Sequence, residues 1–222
     1  MAANERVAVP LIRLRWILSG VGLLLAVVAA VLFLALRSPA PSSTAVPVSD
    51  APAATWAAGA QRAPDFSLTD QSGAAVSLAA LRGRPVIITF IDPLCRNFCP
   101  FEARHLNEVV HAFPAGSKPA IVAVSVNVYG NAHTVLMKDA REWKLVPQWH
   151  WGIGHPTALR RVWNAYHVEV VAMTKTVHGA KVRDVGHTEA AYVIDAKGYQ
   201  RALFLWPYRA SGVVQTLRTL TP

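Results

Sequence analysis

The 222-residue chain contains two cysteines, and both fall within Leu94-Cys95-Arg96-Asn97-Phe98-Cys99-Pro100. A thiolate is the nucleophile of thiol–disulfide exchange and also a soft metal ligand, so one pair can serve either chemistry. A spacing of four brings both sulfurs to one side of a helix, or lets a loop curl them together. Pro100 suits the first turn of a helix, which predicts Cys99 at a helix N-terminus, where partial positive charge stabilises a thiolate. The competing assignment is a purely structural disulfide. A bridge across four residues closes a short loop, however, and removes little unfolded-state entropy. Redox exchange and metal binding both stay open.

Eight histidines, at positions 105, 111, 133, 150, 155, 167, 178 and 187, could complete a metal site. His105 and His111 fall on the helix expected after the cysteines, and His150 and His155 flank a strand end. His187 differs in position. It lies in Val185-Gly186-His187-Thr188-Glu189, read as a loop leading into a strand at Ala190–Ile194.

The surrounding pattern says what must position these groups. A short hairpin is expected at Phe66–Leu68 and Ala75–Leu78 around Asp70-Gln71-Ser72-Gly73. The unbroken apolar run Val86–Ile91 predicts a central strand buried on both faces, and Ala120–Val126 a second one. Helices are expected at Pro100–Phe113, His133–Trp143, Pro156–Tyr166 and Arg209–Leu220, with a short strand at Gln148–Trp151 and an extended segment at Val168–Met173. Ala190–Ile194 and Arg201–Leu205 flank Asp195-Ala196-Lys197-Gly198, a second hairpin. Strand–helix alternation closing on an antiparallel hairpin predicts an α/β fold, a mixed sheet flanked by helices. A thioredoxin-like sandwich satisfies that order, and places the loop at His187 opposite the segment that carries the cysteines.

Composition divides the chain further. With 53% hydrophobic and 16% charged residues, it is not a disordered, highly charged polymer. The apolar excess sits in the uncharged run 16–36, long enough as a helix to span a bilayer. Arg6, Arg13 and Arg15 precede it and Arg37 follows, which predicts a cytoplasmic N-terminus at 1–15 and a single transmembrane anchor at 16–36. A cleaved signal would carry a shorter apolar region, closed by a small-x-small site that is not evident here. Residues 37–60, rich in Pro, Ala and Ser, read as a spacer. Residues 61–222 are then an extracytoplasmic domain on the cell membrane. The chain carries a net charge of +9, and its folded part is also basic. Outside the cytoplasm this fits an acidic partner or anionic lipid, and not nucleic acid.

From Ala63-Pro64-Asp65-Phe66 to the last helix, the domain resembles the Sco/SenC family of membrane-anchored copper proteins. The resemblance rests on Cys95, Cys99 and Pro100 as Cys-x-x-x-Cys-Pro, on Ala123-Val124-Ser125-Val126, on Trp149 with Gly154, and on Gly186-His187-Thr188 followed by Tyr192-Val193-Ile194-Asp195 and Gly198. It implies one copper ion bound by Cys95, Cys99 and His187, and a metallochaperone that assists assembly of the copper centre of cytochrome c oxidase. Two thiolates and an imidazole form a soft set suited to Cu(I), and binding requires the reduced pair. The chain departs from the family pattern at Arg96-Asn97, Asn127 and Gly186. Three missing carboxylates are expected to make the site more positive and to depress a thiolate pKa. The alternative is a thiol–disulfide oxidoreductase acting on a redox partner, with Cys95 attacking and Cys99 resolving a redox-active disulfide. A peroxidase or a bare interaction module fits less well, since Asp92 stands where a peroxidase of the peroxiredoxin type sets Thr or Ser.

Overall fold

The computed structural model describes residues 21–34, 48–177 and 179–220. Residues 21–34 are helical and exposed, inside the apolar run. The rest of that run, the N-terminal 1–15 and residues 37–47 of the spacer lie outside the described residues. Among the described residues, no helix is long and apolar enough to cross a membrane.

The domain is organised on β4 (Val86–Ile91), whose six side chains are all buried. It pairs in parallel with β5 (Ala120–Ser125), and antiparallel on its other edge with β9 (Ala190–Ile194). With β1 (Ala54–Thr55), β10 (Gln200–Leu205) and β6 (Trp149–Gly152), the sheet order is β1-β10-β9-β4-β5-β6. Alternation along β4 sends Val86, Ile88 and Phe90 to one face and Ile87 and Ile91 to the other. The first face packs under the hairpin β2–β3 (Ser67–Thr69, Ala75–Ser77) and helix α3 (Pro156–Ala165). The second packs under α1 (Cys99–His111), α2 (His133–Glu142) and α4 (Ala210–Arg218). This is the expected α/β sandwich, with element ends shifted by a residue or two.

Two elements depart from expectation. Residues 48–60, grouped by composition with the spacer, belong to the domain. Ala54 and Thr55 pair with Leu203 and Ala202, Ser49 bridges Tyr208, and Trp56 packs against the core. Backbone pairing needs no particular side chains, so Pro, Ala and Ser conceal it. Gly212 on α4 makes the docking possible, because a Cβ there would collide with the Asp50 carbonyl. The second departure is a two-stranded ribbon, β7 (Val170–Val177) with β8 (Ala180–His187), where an extended segment and a loop were expected. Its ladder bonds are internal, and it forms a sheet of its own.

Under the second face a carboxyl group is fully buried. The Thr89 hydroxyl donates to Glu102 Oε1 at 2.6 Å and the Tyr208 hydroxyl at 3.2 Å, tying β4, α1 and the approach to α4 together. Burial pushes the Glu102 pKa up to about 8, so the group is neutral through most of the physiological range.

Two outcomes follow for stability. Gly212→Ala should cost about 1–3 kcal/mol, read as a lower denaturant midpoint. An unchanged midpoint would mean that the 48–56 segment contributes nothing. Because the folded pKa of Glu102 is raised, its contribution is complete below the ordinary carboxylate range and is lost as pH rises through about 8. Glu102→Gln keeps an accepting oxygen and should flatten the fall of melting temperature over that interval; parallel curves would assign the fall to another group.

Candidate metal centre

β4 ends at Ile91, and the chain turns at once. Asp92 Oδ1 accepts the Leu94 N–H at 2.7 Å, and the Asp92 carbonyl accepts that of Cys95 at 3.0 Å. Asn127, just past β5, also bonds to the Asp92 side chain, and its Oδ1 accepts from the Tyr129 N–H. Burial raises the Asp92 pKa. Arg96 Nη1 donates to the carbonyls of Pro93 and Cys95, each at 2.9 Å, and lies 3.2 Å from Oδ1 of Asp139 on α2. Burial pushes Asp139 up to about 6, and the guanidinium opposes the rise. Arg96 therefore ties the cysteine loop to α2.

The two cysteines are free thiols and sit together. The Cys99 N–H points at Cys95 Sγ, with N···S at 3.4 Å. Cys95 is half-buried, whereas Cys99, the first residue of α1, is 2% exposed. The Cys99 thiol bonds to Cys95 and is the main reason that the Cys95 pKa falls to about 5; N–H groups of Cys99, Asn97 and Phe98 add to it. The same bond and its burial push the Cys99 thiol up. Position at the helix start predicted the thiolate on Cys99. The low pKa falls on Cys95 instead, because the Cys99 thiol and the N–H groups of Cys99, Asn97 and Phe98 are all directed at its sulfur.

A cleft of about 520 Å³ opens here, with Asp92, Cys95 and Arg96 on one side and Met173, Asp184 and His187 on the other. Cys95 and His187 thus share a cleft. His187 ends β8 and is not in a loop, and its Nδ1 lies 3.2 Å from the Thr188 carbonyl. A carbonyl can only accept, so Nδ1 is the donor of this bond, and in the neutral imidazole the lone pair is then on Nε2. Among the described residues, no group of three or more His, Cys, Asp or Glu side chains stands ready to hold a metal ion. Three other histidines are used differently: His105 packs edge-on against Trp206, His133 bonds to the Gln71 carbonyl, and His155 caps α3.

The expected positive site is not observed. Asp92, Asp184 and Glu189 line the cleft beside Arg96 and Lys175. Asp184, two residues before the expected acidic position, comes in through the ribbon and pairs with Lys175, which lowers its pKa. Burial raises that of Glu189. The low Cys95 pKa therefore comes from hydrogen bonds and not from surplus cationic charge. Sequence reasoning did not select Met173, Asn127 or Glu189 as site residues. The signal available for the ribbon was the turn at Gly179 (φ +80°) between β-branched stretches.

Alkylation of Cys95 by iodoacetamide should rise with pH through about 5 and level off well below neutrality. Mass spectrometry of the product should find the label on Cys95 and not on Cys99. A rate still climbing at neutral pH would place the thiolate elsewhere.

Solved structures of the same architecture are known. Copper-bound ScoI of Bradyrhizobium japonicum superposes with a TM-score of 0.61 at 24% identity, covering 72% of this chain and 99% of that one. Copper-bound yeast Sco1 gives 0.61 at 18% identity, covering 72% and 87%. BsSco, described as having a disulfide switch and as a member of the Sco family of cytochrome c oxidase assembly proteins, gives 0.56 at 18%, covering 72% and 93%. At these identities the likeness shows a shared thioredoxin-like fold. A comparison with curated protein sequences finds no match. The SCO1/SenC family model matches residues 55–221, which takes in the sheet, the cysteine loop and the ribbon, and the chain belongs to that family.

Proposed function

We propose that the protein is a copper carrier that holds Cu(I) through Cys95, Cys99 and His187 and passes it to a copper-receiving oxidase subunit. The observation that carries this reading is that Cys95, in contact with Cys99 through the Cys99 N–H, shares one cleft with His187. Two sulfurs and an imidazole favour the cuprous ion over harder cations. Members of the family from Bradyrhizobium japonicum and yeast have been solved with copper bound. His187 rides on the ribbon, a sheet separate from the one that carries β4, so the ligand set is assembled from two distinct elements. An anchor at 16–36 would hold the domain outside the cytoplasm, a reading supported by the uncharged run and the helix at 21–34.

The low pKa of Cys95 favours a second reading, thiol–disulfide exchange. Cys95 sulfur would attack a partner disulfide and release one partner thiolate; Cys99, after losing its proton, would then displace the second. The result is a Cys95–Cys99 disulfide and a reduced partner.

A Cu(I) competition titration of the reduced full-length chain separates the two. Carriage predicts one tight equivalent, lost in Cys95→Ser and in Cys99→Ser and weakened at least about tenfold in His187→Ala. No tight binding by the reduced, folded chain would overturn it. Disulfide reductase activity that is indifferent to His187→Ala would then support the exchange reading.

A further inference from the structure

Met173 is an apolar side chain that packs against neither core. It is 38% exposed on β7 and belongs to neither buried cluster, whereas its strand neighbour Val170 packs against one of them. Register explains where it goes instead. Met173 lies opposite Asp184, and Val171 opposite Gly186; of these, Met173, Asp184 and Gly186 line the cleft together with Cys95 and His187. The thioether end is turned toward the residue before the histidine. A Cβ built on Gly186 would lie 3.0 Å from Met173 Cε and 3.9 Å from its sulfur. The absence of a side chain at Gly186 makes room for the methionine tip beside the backbone that carries His187.

We propose that Met173 supplies a thioether donor to a cuprous ion held by the cysteines and His187, making the ribbon a two-ligand arm. This rests on the copper reading above. A thioether is neutral and soft and has no proton to lose, so it adds affinity for Cu(I) and little for Cu(II). The hard donor opposite Met173 on the ribbon is engaged elsewhere, since Asp184 is paired with Lys175. An unbranched methionine also has the reach to follow an ion as the ligand set changes during transfer.

The test uses the reduced full-length chain and Met173→Leu, which fills similar volume without sulfur, with Met137→Leu on α2 as the control. Expected results are Cu(I) affinity about tenfold lower in Met173→Leu and unchanged in Met137→Leu, with Cu(II) affinity unaffected in both. Copper-edge X-ray absorption should show one sulfur scatterer fewer in Met173→Leu. Selenium-edge absorption of selenomethionine-substituted Met137→Leu should show copper next to selenium. Equal Cu(I) affinity and equal sulfur number in wild type and Met173→Leu would overturn the proposal while leaving carriage intact. A parallel loss of Cu(II) affinity would also overturn it, as the mark of a packing role. Failure of the wild-type chain to bind Cu(I) would overturn carriage and this proposal together.

Discussion

A thiolate that has lost part of its water needs N–H and S–H groups in its place, and the architecture around Cys95 meets that need. The groups are the Cys99 thiol and the N–H groups of Asn97 and Phe98 in the loop and of Cys99 at the start of α1. They can reach Cys95 because Asp92 reverses the chain immediately after β4, and because β4 is held rigid by neighbours on both edges and cores on both faces. Moving the turn by one residue would swing the sulfur out of the reach of those donors.

Around this centre, charge is arranged to leave the sulfur field local. Arg96 is the obvious cation, yet its bonds run to backbone carbonyls and to buried Asp139, so it braces the loop. Lys175 is engaged by Asp184. Asp92 and Glu189 are both raised in pKa by burial, which reduces the negative charge that a thiolate would otherwise oppose. Glu102, three residues after Cys99, is raised for the same reason. Near the half-buried thiolate, Asp92, Glu102 and Glu189 are thus shifted toward their neutral forms, while Lys175 shifts Asp184 the other way.

The elements most readable in the sequence are those whose burial leaves a continuous signature. Val86–Ile91 and Ala120–Ser125 are apolar without interruption because both faces are covered, and each was located to within a residue. The clustering of Cys95 and Cys99 ahead of Pro100 was equally legible. Less so was anything decided by backbone alone. The pairing of Ala54–Thr55 hides in a Pro-, Ala- and Ser-rich stretch, and the thiolate belongs to Cys95 because of N–H directions that residue types do not encode. The ribbon is hard to read because Thr174, Lys175 and Thr176 interrupt the apolar signal on which strand reading depends. With it went the correct placement of His187 at a strand end, and any reason to look at Met173.

The strand order also carries a consequence for the order of assembly. β4 obtains its parallel neighbour from residues 120–125, but its antiparallel neighbour is β9, and β10 beyond it receives β1 from the start of the domain. During synthesis the cysteines therefore emerge long before the histidine, and the edge of the most hydrophobic strand stays unpaired until about residue 194 has left the ribosome. Closure is non-local at both ends, a topology that folds late and exposes a sticky edge meanwhile. The two halves of the candidate site are united only when the whole domain is.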